Sequence, residues 1–198
     1  MSSKVAIIIP TLNRIDFIIR TVRYYASINS NHPIYIGDAS DQSSEQEVLR
    51  CADNNVEINY FHWKGLGVRR TIARLSEEAL ETSKYCAYHG DDDYFIPHSL
   101  SKCADFLEHN PLYATAQGKA GSFSLDRSGP YGNIKEVGTY WDRKELRGGT
   151  AAERLTEITS NYWVPIFSVH RTDEFIEDIS NGIEMVIDRN FGELINVF

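Results

Sequence analysis

His89-Gly90-Asp91-Asp92-Asp93-Tyr94-Phe95-Ile96-Pro97 is the stretch around which this chain is organised. It follows a short apolar run, Tyr85-Cys86-Ala87-Tyr88. Its proline opens a segment with Leu100, Cys103, Ala104 and Leu107 at helical spacing. The reading is a strand, an acidic turn and a helix start. In an open α/β sheet, ligands bind at the carboxyl ends of the strands, where this turn would lie. Three carboxylates this close repel one another unless a cation or hydrogen-bond donors compensate. One aspartate is accounted for as the N-cap of the next helix. A divalent cation, Mn²⁺ or Mg²⁺, accounts for the other two.

Before this stretch, strand and helix patterns alternate. Val5-Ala6-Ile7-Ile8-Ile9 is a β-branched run of the kind buried on both faces of a sheet. Pro10-Thr11-Leu12-Asn13-Arg14 reads as a turn that ends it, and Ile15, Ile18, Ile19, Val22 and Tyr25 form a helical stripe. Ile34-Tyr35-Ile36 leads into Gly37-Asp38-Ala39-Ser40. A polar helix from about Ser43 to Asn54 turns Val48, Leu49 and Ala52 inward, and Val56 to Phe61 forms a third strand. A glycine loop at Gly65 and Gly67 precedes a helix with Val68, Ile72, Leu75 and Ala79 on one face. Four strand–helix alternations predict a parallel sheet with right-handed crossovers.

After Pro111 the pattern changes. Residues 112–147 are rich in Gly, Ser and Tyr and predict short antiparallel strands and long loops. Ala151 to Ile158 reads as helix, Trp163 to Val169 as strand, and Thr172 to Ile179 as helix again. The whole reads as one domain over residues 1–198, with residues 1–111 as its ligand-binding half. The last residues, Leu194 to Phe198, stop inside an apolar helical pattern with no cap, which reads as part of a longer protein.

The 198 residues carry a formal net charge of -8, which argues against nucleic acid as a partner. Cys51, Cys86 and Cys103 form no C-x-x-C pair and read as reduced thiols in the cytoplasm. The apolar run from Val5 to Ile9 is too short for a signal peptide or a membrane span.

Thr11, Asn13, Arg14, Asp38, Ser40, Arg69, Arg70 and the three aspartates all collect at predicted strand ends on one sheet edge. Together they suit a nucleoside diphosphate. A carboxylate accepts a base N–H, arginines fork onto phosphate oxygens, and a cation bridges diphosphate to aspartate. Each has a plainer reading. Asp38 alone is an Asx turn, an arginine at a helix start is usually solvated, and His62, His89, His98, His109 and His170 lack metal-ligand spacing.

The ordered set Val5–Arg14, Ile36-Gly37-Asp38-Ala39-Ser40, Gly67-Val68-Arg69-Arg70 and Asp91-Asp92-Asp93 with Pro97 resembles family 2 glycosyltransferases of GT-A fold. The resemblance covers the first half of the chain well. It implies an α/β fold, a mostly parallel sheet flanked by helices, with a small loop-rich, antiparallel acceptor-side region at 112–198. It implies that Pro10, Thr11, Asn13, Arg14, Asp38, Arg69 and Asp91 bind a nucleotide-diphospho-sugar, most often a UDP-sugar, and that Asp92 and Asp93 hold the metal. Gly37 and Gly90 stand where the family often has aspartates. The family's catalytic carboxylate at a helix start is matched by Glu193 in Asn190-Phe191-Gly192-Glu193-Leu194, with Asp188 second.

The activity so implied is metal-dependent, inverting transfer of a sugar to the hydroxyl of a saccharide or lipid-linked acceptor. It would take place in the cytoplasm, free or at the inner face of a membrane. Two alternatives stay open. A sugar nucleotidyltransferase would need a glycine-rich loop after the first strand, where Pro10-Thr11-Leu12-Asn13-Arg14 has no glycine. A catalytically inactive nucleotide-sugar-binding domain would keep the same residues.

Overall fold

A computed structural model describes residues 3–52, 56–139, 145–160 and 163–185. Four strands, β1 (Val5–Thr11), β2 (Ile34–Asp38), β3 (Ile58–His62) and β4 (Tyr85–Tyr88), alternate with α1 (Ile15–Ser27), α2 (Glu45–Ala52), α3 (Val68–Leu80) and α4 (Pro97–His109). Then come β5 (Thr115–Ala116), a hairpin of β6 (Gly121–Leu125) and β7 (Ile134–Thr139), α5 (Ala151–Ser160), a 3-10 turn (Pro165–Phe167), β8 (Val169–Arg171) and α6 (Thr172–Met185).

The main sheet has the order β3-β2-β1-β4-β8-β5. Its first four strands are parallel, as the alternation predicts, and β8 runs antiparallel between β4 and β5. Every residue of β1 is buried. The reason is the β-branched run itself: alternate side chains go to opposite faces, and both faces are covered. Val5, Ile7 and Ile9 meet Ile18, Val22 and Tyr25 in one cluster, while Ala6 and Ile8 meet Ile72 and Leu75 in another.

Four details depart from the sequence reading. β1 runs through Pro10 to Thr11 rather than stopping at the proline. β4 ends at Tyr88, opposite Ile8, so no ladder bond on that side is asked of Pro10. The strand placed at 163–169 is a 3-10 turn followed by β8, because Pro165 opens the turn and supplies no ladder donor. Leu49 and Val68 are exposed, since each lies at the edge of its helix's apolar stripe. α2 also occupies only Glu45–Ala52, shorter at its start than predicted.

Gly37 faces α3 at close range. A Cβ there would stand 2.4 Å from the Thr71 methyl and 3.1 Å from Leu75. The close approach of helix to strand requires glycine at this position. No helix among the described residues is long and apolar enough to cross a membrane.

Candidate active site at the carboxyl edge of the sheet

The ends of three strands are in register: Thr11 lies opposite Asp38, and Asp38 opposite His62. β4 ends earlier, and the His89 N–H closes onto the Ile8 carbonyl at 3.2 Å. The acidic turn therefore passes alongside the last residues of β1.

The three aspartates point different ways. Asp91 is 4% exposed. One of its oxygens accepts the Thr11 hydroxyl at 2.8 Å, and the other lies 2.6 Å from the Arg14 guanidinium. The Asp92 side chain, 50% exposed, takes the second Arg14 nitrogen at 2.9 Å. Phe17 supports that guanidinium from below, 4.0 Å from the ring centre. Burial pushes the Asp91 carboxyl up, against the pull of the Thr11 hydroxyl and the Arg14 charge. Desolvation, then the neighbouring Asp92 charge, pushes Asp93 up.

None of the three caps α4. Its N-cap is Ile96, with no side-chain cap bond, and Pro97 opens the helix. All three carboxylates are therefore left for other work, one more than the sequence reading allowed. The Asp92 Oδ1 and Asp93 Oδ2 oxygens converge over Gly90, at 3.1 and 3.4 Å from where its Cβ would be. Among the described residues no three acidic, histidine or cysteine groups gather as a metal site. Two hard carboxylate oxygens fit Mg²⁺ or Mn²⁺ in the form that leaves the remaining positions to water and substrate phosphates.

α1 supplies a mould for the backbone of the turn. Thr21 donates to the Asp91 carbonyl at 2.9 Å, Arg20 to the Asp92 carbonyl at 3.2 Å, and Tyr24 to the Phe95 carbonyl at 3.0 Å. The Tyr25 hydroxyl accepts the Phe95 N–H at 2.9 Å. Arg20 also reaches the Pro130 carbonyl, between β6 and β7, at 2.8 Å. Sequence reading took α1 as an apolar stripe and missed Arg20, Thr21 and Tyr24. The available signal was a set of polar groups on positions adjoining the stripe.

Asp38 is buried, and its Oδ1 accepts the Ser40 N–H at 2.9 Å, the Asx turn of the plainer reading. Its Oδ2 accepts the Tyr60 hydroxyl, a partner the sequence did not suggest. Burial, reinforced by that bond, raises the Tyr60 pKa. Beside them lies a cavity of about 10 Å³, lined by Thr11, Asp38, Ser40, Ser44 and Tyr60, room for about one water. Asn13 has φ 55°, a left-handed conformation that asparagine tolerates, and its N–H bonds the Ser40 hydroxyl at 2.7 Å. That backbone demand accounts for asparagine at position 13 without a ligand.

Thr11, Asp91, Arg14 and Asp92 are thus linked in that order by polar contacts, and Pro10 and Asn13 flank them in sequence. Arg69 stands half-buried in the first turn of α3, one residue after Val68. Glu193 and Asp188 lie outside the described residues. On the other side of the acidic turn a cavity of about 820 Å³ opens between α1, α4, β5 and the hairpin. Arg20, Asp92, Asp93 and Tyr94 line one end of it; Phe123, Leu125, Ile134 and Val137 line the hairpin wall.

Comparison with known proteins bears on the family and the fold. The family model described as glycosyl transferase family 2 matches residues 6–159. An uncharacterized glycosyltransferase of Rickettsia bellii (strain RML369-C) is 30% identical over 112 residues, covering 54% of this chain and 16% of that protein. Among solved structures, S. aureus TarS 1–349 superposes with a TM-score of 0.61 at 13% identity, over 98% of this chain and 54% of TarS 1–349. TarS 1–349 in complex with UDP-GlcNAc gives a TM-score of 0.56 at 12% identity, over 88% of this chain and 47% of that one. The chain therefore spans about half the length of the TarS fragment and a smaller share of the Rickettsia protein.

Proposed function

The chain belongs to glycosyl transferase family 2, and from that premise we propose that it transfers a sugar from a nucleotide-diphosphate donor, a UDP-sugar, to an acceptor hydroxyl. The observation that carries the reading is the convergence of Thr11, Arg14, Asp91 and Asp92 at one sheet edge, with Asp92 and Asp93 opening onto the cavity of about 820 Å³. TarS, whose fold this chain shares, has been crystallised with UDP and with UDP-GlcNAc, which supports the choice of uridine.

In this reading residues 1–111 hold the donor. Asp38 accepts an N–H of the base, the Thr11–Asp91 pair lies beneath the ribose, and Arg14 and Arg69 face the diphosphate. Asp92 and Asp93 hold Mn²⁺ or Mg²⁺, which when bound neutralises the negative charge of the leaving diphosphate. The acceptor, saccharide or lipid-linked, occupies the cavity bounded by the hairpin, in the half formed by residues 112–198. Transfer is one in-line displacement. The acceptor oxygen bonds the anomeric carbon as the bond to the diphosphate oxygen breaks, which inverts that carbon. The acceptor proton passes to a carboxylate, Glu193 first and Asp188 second. The three cysteines are free, which suits a reducing compartment, the cytoplasm or the inner face of a membrane.

The test is calorimetric titration with nucleoside diphosphates, with and without Mn²⁺. UDP binds the parent more tightly with Mn²⁺, and Asp92→Asn removes the gain. Equal metal-dependent binding in Asp92→Asn moves the metal elsewhere. Glu193→Gln keeps donor binding and lowers turnover by about 10²–10⁴, the contribution of a general base; normal turnover there with a dead Asp188→Asn reassigns the base. Donor binding without turnover in the parent would select the inactive binding domain.

A further inference from the structure

Resting on the reading of the acidic turn as the metal and diphosphate site, we infer that Tyr25 and His89 are positioning residues, a buried relay that ties the two ends of that turn together. Both side chains are buried, at 0% and 1% exposure. The His89 Nδ1 lies 2.5 Å from the Gly90 carbonyl oxygen. A carbonyl only accepts, so Nδ1 carries the proton. Nε2 is then the acceptor, and the Tyr25 hydroxyl, 3.0 Å away, donates to it. The same hydroxyl oxygen accepts the Phe95 N–H at 2.9 Å.

One line of hydrogen bonds thus runs from the Gly90 carbonyl, through imidazole and phenol, to the Phe95 amide. Asp91, Asp92 and Asp93 lie between those ends. The Gly90 carbonyl also takes the Asp93 N–H at 3.1 Å, so the relay and the turn share an acceptor.

A tyrosine that merely filled core space would need only its ring. Here the hydroxyl's two partners both belong to the acidic segment, His89 and Phe95, and none to the sheet. His89 is a neutral spacer. Burial lowers its pKa to about 4, and both nitrogens are committed, which leaves it no lone pair for a metal and no proton for the reaction. Tyr25→Phe keeps the ring and removes both hydroxyl bonds. The ends of the turn are then untied, and the Asp92 and Asp93 oxygens spread over more arrangements. Asp38, on another strand end, is untouched.

The experiment measures UDP binding to the full chain by calorimetry, with and without Mn²⁺, beside melting temperature. Tyr25→Phe weakens the Mn²⁺-dependent binding by about 10- to 100-fold, the usual cost of losing a group that orients metal ligands. Metal-free UDP binding stays as in the parent. His89→Ala falls at least as far, and His89→Gln, whose amide oxygen offers the tyrosine an acceptor again, recovers part. Tyr85→Phe is the control: Tyr85 is equally buried, and its hydroxyl bonds Glu108 at 2.6 Å, at the far end of β4. It keeps full metal-dependent binding.

Parent-like Mn²⁺-dependent binding in Tyr25→Phe overturns this inference and leaves the metal reading standing. A loss in Tyr85→Phe as large as in Tyr25→Phe overturns it too, since general destabilisation would then explain both. UDP binding by the parent that is indifferent to Mn²⁺ overturns the metal reading and this inference with it. Should Tyr25→Phe fail to fold, the two His89 variants decide.

Discussion

β1 is buried along its whole length, whereas every residue of β7 is exposed. The two strands are of similar length and differ in what surrounds them. β1 lies between β2 and β4, with helices over both faces, so a continuous run of Val, Ala and Ile is its stable composition. β7 pairs only with β6. Phe123 sits opposite Val137 and Leu125 opposite Ile134, so the apolar residues of the hairpin share one face. That face lines the large cavity rather than the core. Apolar residues in the first region pack the interior of the sheet; in the second they form the wall of an open cavity.

Acidification should act on the main sheet, through one histidine just after β4 and another on β8, and has the largest effect. His89 beside the acidic turn and His170 on β8 are both buried, and burial lowers each pKa to about 4. Both stay neutral in the native state while an unfolded histidine, near pH 6.5, takes up a proton. Their contribution to stability is therefore complete above about pH 6.5 and is lost as the pH drops toward 4, by about 1.4 kcal/mol per pH unit for each histidine. Asp178, whose carboxyl burial pushes up to about 6, acts in the opposite sense below that pH. Urea titrations between pH 7 and 4 measure the slope, and His170→Gln should reduce it. An unchanged slope in that variant would assign the acid loss to other groups.

Core truncation then separates the two regions. Ile8→Ala should cost about 2–5 kcal/mol, the range for emptying a packed apolar site. Denaturation midpoints read it, and a cost under 1 kcal/mol would mean that β1 is loosely packed. Asp38→Ala should weaken UDP affinity by about 1.5–3 kcal/mol, the value of a hydrogen bond to a charged group. Mn²⁺ affinity should hold, because Asp38 touches Tyr60 and Ser40 rather than the acidic turn. Unchanged UDP affinity would leave Asp38 as an Asx turn alone.

A smaller cost, about 1–3 kcal/mol for overpacking, is expected of Gly37→Ala, whose new methyl meets Thr71. Thermal melts read it. Val137→Ser, 78% exposed, should leave stability within about 0.5 kcal/mol and change acceptor affinity instead. A large stability loss there would erase the contrast between the two regions.

Sequence alone determined where the parallel strands and their helices lie, where the acidic turn falls, and which family the opening motifs resemble. Those features are written in short-range periodicity and in residue types at fixed offsets, which survive without knowledge of packing. Tertiary structure decided the rest. Three adjacent aspartates are chemically alike in sequence; only the approach of β1 and α1 turns Asp91 inward to Thr11 and Arg14 and leaves Asp92 half-exposed. Tyr60 on Asp38, Thr21 on Asp91 and Tyr25 on Phe95 join residues 22, 70 and 70 positions apart. So does the placing of β8 between β4 and β5. Such contacts depend on how elements pack against one another, and no local pattern along the chain encodes that distance.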